Sequence, residues 1–170
     1  MSSGAPSLLV DSMLGSLARK LRLYGLDAEY EPRASDQELL SRARDEGRVL
    51  ISSDRALVAR AKRLGVAALL VEAGGDAEAL AQVFLGLGLR PEGLSPDRAR
   101  CSRCNGEVAR ASKRSVRNKV APRTFSAYSA FYICRRCGKV YWEGAHWRRI
   151  LALHGRVLKL LAAARSRPTL

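Results

Sequence analysis

Two copies of one short motif constrain this 170-residue chain more than any other feature. Its four cysteines all lie in two Cys-x-x-Cys pairs, and a glycine follows each pair within two residues. Small residues at these positions allow a tight turn whose backbone N–H groups face the sulfurs. Two such turns complete a tetrahedral site of four thiolates, which is typical of zinc. The spacing therefore predicts a zinc ribbon whose ligands are Cys101, Cys104, Cys134 and Cys137.

The segment between the two pairs is unusually long. It contains 29 residues, against about 15 to 20 in the common spacing rule, so we expect an inserted basic loop or hairpin. Disulfides are an alternative, which an intracellular location argues against. A dithiol redox motif is another, but two paired motifs in one small basic module fit it poorly. Because four thiolates leave no open position for water, we expect the zinc to be structural.

The apolar pattern bears on location. The longest apolar run, Val66 to Val71, has six residues, whereas a membrane helix needs about 18 to 20. The segment from Met1 to Asp11 has neither a basic leader nor a long apolar core, so we expect no secretory signal. These features predict a cytoplasmic protein without a membrane span.

Charge divides the chain into two unlike halves. Residues 1–97 hold 12 Lys and Arg against 14 Asp and Glu, whereas residues 98–170 hold 18 against 2. This basic excess favours a polyanion partner, nucleic acid first, although a solubilising surface is the alternative. Seven of the ten aromatic residues lie in the basic half. Basic groups interleaved with aromatic rings suit RNA or single strands.

The periodicity changes where the charge changes. Over the first 90 residues, short apolar runs alternate with amphipathic segments of helical spacing, which is typical of βαβ units around a mainly parallel sheet. The stretch from Leu89 to Ala99 contains two prolines and a glycine and breaks both periodicities. We therefore predict a parallel α/β domain over 1–97 and a zinc-ribbon module over 98–170 that ends in a C-terminal helix from Ile150 to Leu161.

Three aspartates belong to one edge of the predicted sheet. Asp11 ends the first strand, Asp36 lies in the first turn of the second helix, and Asp54 follows the third strand. Ligands of parallel sheets bind along this edge, and carboxylates that converge there select Mg²⁺ or Mn²⁺, which supports phosphodiester hydrolysis. Helix capping is the alternative for Asp36 and Asp54. It does not explain Asp11, because a carboxylate that ends a buried apolar strand needs a partner.

Four longer motifs surround these residues. They are DSMLGSLARKLRLYG from Asp11, SDQELL from Ser35, GRVLISSDR from Gly47 and YWEGAHW from Tyr141. Together they resemble the PIN-like family called the Mut-seven C-terminal RNase domain, over roughly residues 8–150.

This resemblance implies a PIN-like α/β fold with a zinc ribbon and a ribonuclease site at Asp11, Asp36 and Asp54. PIN nucleases commonly use a fourth acidic residue after the fourth strand, for which Glu72 and Asp76 are the candidates here. PIN proteins with a zinc ribbon that mature ribosomal RNA have a similar architecture. We therefore expect a Mg²⁺- or Mn²⁺-dependent endoribonuclease whose basic ribbon binds structured RNA, either rRNA or tRNA.

We expect RNA phosphates to contact basic residues of the ribbon and one of the first helix. These are Arg19, Arg110, Lys113, Arg114, Arg117, Lys119, Arg123, Arg135, Arg136 and Lys139. The alternative function is a non-catalytic RNA-binding or ribosome-associated protein on the same scaffold. The sequence does not fix the oligomeric state.

Overall fold

Two sheets organise the chain in the computed structural model, which describes residues 4–72 and 74–166. The elements of the first part are β1 (Leu8–Val10), a 3-10 turn (Ser12–Leu14), α1 (Gly15–Leu23), β2 (Ala28–Tyr30), α2 (Asp36–Asp45), β3 (Val49–Ser52), α3 (Arg55–Arg63), β4 (Ala68–Leu70) and α4 (Asp76–Gly86). The second part contains β5 (Val108–Ala111), α5 (Lys113–Val116), α6 (Pro122–Ala127), β6 (Phe131–Cys134), β7 (Val140–Tyr141) and α7 (Ala145–Arg165).

The larger sheet is parallel throughout and has the strand order β2-β1-β3-β4. Its strands alternate between two cores: Leu8 and Val10 face α1 and α4, whereas Leu9 faces α2 and α3. Such strands, buried on both faces, read as continuous apolar runs. The parallel α/β architecture predicted from the periodicity is confirmed.

Local signals account for the ends of several helices. Ser35 and Glu38 form a capping box at the start of α2, with Ser35 Oγ accepting a hydrogen bond from the Glu38 N–H. After α1 the chain turns at Gly25, whose φ is +80°. A Cβ there would lie 2.5 Å from the carbonyl oxygen of Arg98. Only glycine fits this position, because the backbone there is left-handed and the segment around Arg98 leaves no room for a Cβ atom.

The C-terminal helix is longer than predicted. It begins at Ala145, five residues before the predicted start at Ile150, and passes through Gly155 without a break. Its buried residues Leu153, Val157 and Leu161 join the core that contains α1 and α4. Burial of each leucine or valine contributes about 1.5–3 kcal/mol, which outweighs the cost of about 1 kcal/mol for one helical glycine. The basic half of the chain thus supplies part of the core of the α/β domain.

The smaller sheet is antiparallel, with the order β5-β6-β7. Strands β5 and β6 form the hairpin expected between the cysteine pairs, and the connection between them contains the short helices α5 and α6. No helix of the described residues combines the length and the hydropathy that crossing a bilayer requires.

The ribbon docks against the open edge of the parallel sheet. The Ala28 N–H of edge strand β2 donates to Asn105 Oδ1 over 3.2 Å, and Arg22 Nε donates to the Ala28 carbonyl over 2.8 Å. Arg22 Nη1 also donates to the Ser102 carbonyl, and Asn105 Nδ2 donates to Asp27 Oδ1 over 2.6 Å. These side chains satisfy backbone groups that an exposed edge strand would leave open to other chains.

Candidate zinc centre and acidic edge

The four cysteines form a compact cluster. Their Sγ atoms all lie within 4.8 Å of one another, with Cys101 and Cys137 separated by 3.6 Å and Cys104 and Cys134 by 3.5 Å. A zinc–sulfur distance of about 2.3 Å places the sulfurs of a tetrahedral site ~3.8 Å apart. The cluster therefore has the dimensions of a four-thiolate zinc site and can hold a zinc ion, as the spacing predicted.

The two cysteine turns have equivalent backbones. Asn105 N–H donates to the Cys101 carbonyl over 2.9 Å, and Gly138 N–H donates to the Cys134 carbonyl over 3.0 Å. Both turn residues are left-handed, with φ of 63° at Asn105 and 71° at Gly138. A Cβ on Gly106 would approach Cys134 Sγ to 3.0 Å. The glycine after the first pair thus allows the backbone to lie against the sulfurs.

The surroundings shift the pKa values of two of the thiols in opposite directions. Burial raises the pKa of Cys101, but hydrogen bonds from the Tyr141 hydroxyl, 3.0 Å away, and from backbone amides outweigh it and lower that pKa. Burial and the neighbouring thiols raise the pKa of Cys104. A metal ion between the sulfurs would offset the repulsion between thiolates held this close together. Sequence reasoning placed Tyr141 in a motif but did not predict its contact with Cys101.

Asp11 is a nearly buried carboxylate at the end of β1, with 6% of its surface exposed. Ser52 Oγ donates to Asp11 Oδ2 over 2.6 Å, and Ser12 Oγ donates to Oδ1 over 3.1 Å. Val10 pairs with Ile51 in the sheet register, so Asp11 and Ser52 are the next residues of adjacent strands. The partner that a buried carboxylate requires is therefore a serine of the neighbouring strand.

Asp54 is linked to the same serine and caps a helix. Its N–H donates to Ser52 Oγ over 2.9 Å. Its Oδ1 accepts hydrogen bonds from the N–H groups of Ala56 and Leu57, at 2.7 and 3.1 Å, at the start of α3. The capping interpretation is confirmed for Asp54, and both capping bonds use one carboxylate oxygen.

Asp36 is the first residue of α2 and is exposed. Ser35 caps this helix, so the capping interpretation of Asp36 is wrong. Among residues 4–72 and 74–166, no hydrogen bond or ion pair joins Asp36 to Asp11 or Asp54, and no acidic trio has its ligand atoms within 4.8 Å of one another. Asp36 lies at the same edge of the sheet as Asp11 and Asp54, because α2 follows a parallel strand. Its carboxylate makes no contact with theirs.

The candidate fourth acids both carry basic partners. Glu72, two residues after the end of β4, forms an ion pair with Arg55 of α3. Asp76, the first residue of α4, lies 3.0 Å from Lys20 Nζ of α1. Both acids belong to the edge where β4 ends and α4 begins.

The ten predicted RNA contacts separate into three groups. The first group follows the insertion between the cysteine pairs and comprises Arg110, Lys113, Arg114, Arg117, Lys119 and Arg123. Arg135 and Arg136 form the second, in the turn after β6, where Arg136 Nη1 donates to the Cys104 carbonyl over 3.0 Å. Arg19 and Lys139 form the third, on the wall of a cleft of about 850 Å³ between α1, the ribbon and α7.

Comparison with known proteins agrees with this architecture. The family model described as the Mut7-C RNAse domain matches residues 6–154, most of the chain. The chain belongs to this family. No curated protein and no solved structure matches the chain. Membership of the Mut7-C RNase domain family indicates a nuclease-like function with RNA as the substrate class.

Proposed function

We propose that this Mut7-C domain is a metal-dependent endoribonuclease that hydrolyses RNA phosphodiesters at the carboxyl edge of its parallel sheet. One observation carries the proposal: the nearly buried carboxylate of Asp11 shares Ser52 with the backbone of Asp54. A carboxylate is costly to bury, and two acids tied to one serine at the ligand-binding edge of a parallel sheet fit a cation site.

The donor atoms fit Mg²⁺ or Mn²⁺. Mg²⁺ in proteins commonly keeps several waters and binds directly to one or two carboxylates. Asp11 and Asp54 would supply the direct ligands, Asp54 through the oxygen that does not cap α3, and Asp36 would act through water. The bound ion supplies an activated water and offsets negative charge on the reacting phosphate.

The chain's own groups hold these acids in position. Ser52 fixes Asp11 Oδ2, while the amides of Ala56 and Leu57 fix Asp54 Oδ1. The pair of Arg55 and Glu72 is solvent-exposed, with 78% and 60% of the side chains accessible, so it is weak and opens at little cost. Glu72 is therefore available at this edge as a fourth acid, and Asp76 becomes available when Lys20 moves to a phosphate.

The ribbon supplies the second half of the proposal. A structural zinc ion on Cys101, Cys104, Cys134 and Cys137 would hold the turns, and the basic surface around them would bind cytoplasmic rRNA or tRNA. The contact of Asn105 with β2 gives the ribbon a defined position beside the sheet. A module that presents RNA to a hydrolytic edge needs such a fixed position.

The test measures cleavage of end-labelled structured RNA by zinc-loaded protein. We expect cleavage with Mg²⁺ or Mn²⁺, none after removal of these ions, and a loss of orders of magnitude in Asp11→Asn. Asp45→Asn is the matched control, because Asp45 is an exposed residue at the opposite end of α2. Cleavage by Asp11→Asn at the wild-type rate would refute the proposal.

One observation favours a non-catalytic RNA-binding or ribosome-associated role. Within the described part of the chain, the acids at the carboxyl edge do not converge within 4.8 Å as the cysteines do. Tight RNA binding without cleavage in either metal would establish this second function.

A further inference from the structure

A large cleft lies between the two parts of the chain, beside the acidic edge. It measures about 850 Å³, and its walls come from α1, the ribbon strands β5 and β7, and the first turns of α7. Pockets that bury a small ligand commonly measure about 300–1,000 Å³. The cleft is large enough for unpaired nucleotides.

The charge of this cleft is strongly positive. Six basic residues line it: Arg19, Lys20, Arg100, Lys139, Arg149 and Arg156. Among the described residues on its wall the one acid is Asp76, and that carboxylate is paired with Lys20 at 3.0 Å. Low-dielectric walls that carry one sign of charge concentrate the opposite charge between them, so the cleft attracts a polyanion.

The same cleft concentrates aromatic rings. Tyr128, Tyr141, Trp142 and Trp147 all line it. Trp142 remains 38% exposed, and its ring centroid lies 6.4 Å from that of Tyr128. A Cβ on Gly144 would come within 2.8 Å of Trp142 Nε1 and 3.2 Å of the Tyr128 hydroxyl. Glycine at this position leaves the two rings room to occupy the wall together.

We propose that this cleft binds unpaired nucleotides of the RNA, with bases stacked on Trp142 and its neighbours and phosphates held by Arg19, Lys139 and Arg149. Aromatic platforms inside a basic groove are how proteins bind single strands, because every base has a π-face and every nucleotide a phosphate. A-form duplex has its bases stacked inside and is recognised from its surface. The concave aromatic wall therefore selects single-stranded segments.

The position of the cleft connects it to the acidic edge. Ser16, in the first turn of α1, and Asp76, the first residue of α4, both line it. These helices begin at the carboxyl edge of the sheet, where Asp11 follows β1. An unpaired strand in the cleft is thereby directed toward that edge. This inference deepens the proposed endoribonuclease function and rests on it for the identity of the polymer.

Intrinsic fluorescence provides a direct test, since the chain has two tryptophans and both line the cleft. Zinc-loaded full-length protein, without Mg²⁺ or Mn²⁺, is titrated with a ten-nucleotide unpaired RNA and with a duplex of the same sequence. We expect the unpaired RNA to quench tryptophan emission through stacking and the duplex to leave it nearly unchanged. Quenching by the duplex at the same concentrations would overturn the selection of unpaired nucleotides.

Two pairs of variants locate the contact. Trp142→Ala should lower the affinity for unpaired RNA about 5- to 150-fold, which is the effect of losing one stacked base. Trp142→Phe keeps an aromatic ring and should retain most of that affinity. Arg149→Gln should lower the log-log salt dependence by about 0.7, as expected for one phosphate of a single strand. Arg148→Gln is the matched control, because Arg148 is an exposed neighbour on α7 outside the cleft. Zinc content and circular dichroism confirm that each variant is folded.

The outcomes separate this inference from the proposed hydrolysis. If Trp142→Ala and Arg149→Gln bind unpaired RNA with wild-type affinity, the proposed role of the cleft is wrong, even if the protein cleaves RNA through Asp11. If RNA quenches emission through Trp142 but the protein does not cleave RNA, the cleft is an RNA-binding site and the nuclease proposal is refuted. Binding of a protein ligand there, with no effect of RNA on tryptophan emission, would also overturn the inference.

Discussion

The Ser52 hydroxyl, at the end of β3, donates a hydrogen bond over 2.6 Å to Oδ2 of Asp11, the residue that follows the adjacent parallel strand β1. Ser52 is fully buried and also accepts from the Asp54 N–H. One small side chain therefore fixes two acids on different elements. Its removal affects both folding and the geometry of the acidic edge.

We predict that Ser52→Ala lowers the free energy of unfolding by about 1–3 kcal/mol, because a buried carboxylate oxygen loses its donor. Cleavage should fall as well, while RNA affinity stays within a few-fold of wild type, since Ser52 lies outside the basic cleft. Urea denaturation and RNA binding measure the two effects. Ser53→Ala is the control, and equal stability losses in the two variants would contradict the specific role of Ser52.

The aspartate substitutions separate helix capping from metal binding at Asp54. Asn is as good an N-cap as Asp, whereas Ala costs about 0.5–2 kcal/mol. We therefore expect Asp54→Asn to keep wild-type stability and Asp54→Ala to lose about 1 kcal/mol, with cleavage reduced by orders of magnitude in both. If Asp54→Asn cleaves RNA normally and only the destabilised Asp54→Ala is impaired, Asp54 acts as a helix cap and does not bind the metal.

The sequence predicted the edge but not its connections. Asp11 and Asp54 were predicted as site residues because each follows an apolar strand, and the strand ends of a parallel sheet meet at one edge. Ser52 was missed, since a serine at a strand end carries no signal until the register of β1 on β3 is known. Side-chain packing decides that Asp36 is exposed and which basic residues pair with Glu72 and Asp76. The periodicity of a sequence does not report such packing.

Zinc removal should act first on the ribbon and on the edge strand that it covers. We predict one zinc ion per chain, lost in Cys104→Ser, and hydrogen exchange that accelerates in β5, β6 and β7 when zinc is removed. The Ala28 amide is the most informative probe, because its acceptor is the Asn105 side chain of the first cysteine turn. Amides of β1 and β3 should keep their protection. Zinc-free, reduced protein with an unchanged exchange pattern would disprove the structural site.

Asn105 shows why the docking of the ribbon escaped prediction. Its side chain contacts β2 across 77 positions of sequence, a relation that no local pattern reports. Within the turn itself, an Asn with φ of 63° needs no further explanation, because Asn adopts left-handed backbone more readily than most residues.

Substitution of Asn105 tests that docking. Asn105→Gly keeps the left-handed turn but loses the bonds to Ala28 and Asp27, so we expect a loss of about 1–3 kcal/mol in unfolding free energy with zinc still bound. Asn105→Asp should lose more at neutral pH, because a carboxylate then faces Asp27 and Glu29. Acidification should reduce the difference between the two variants. Equal stability of the variants and the wild type would show that zinc alone positions the ribbon.

The last prediction concerns pH and the contact between α7 and α1. His154 Nδ1 lies 3.3 Å from the Tyr24 hydroxyl, and burial lowers the pKa of His154 below its usual 6.5. Burial also raises the pKa of Tyr24 to about 12, so the hydroxyl beside the imidazole stays protonated. The neutral imidazole is thus the form that fits the folded packing.

The sign of the effect follows from proton binding. Below pH 6.5 the unfolded chain protonates this histidine more readily than the folded chain does, so the free energy of unfolding falls as pH falls from 6.5 through the lower folded value. Urea denaturation from pH 8 to pH 5 should show this decline in the wild type and a flatter profile in His154→Gln. His146→Gln, at an exposed position in the first turn of α7, should keep the wild-type profile. A decline of the same size in His154→Gln would assign the pH dependence to other groups, because no imidazole would then face Tyr24.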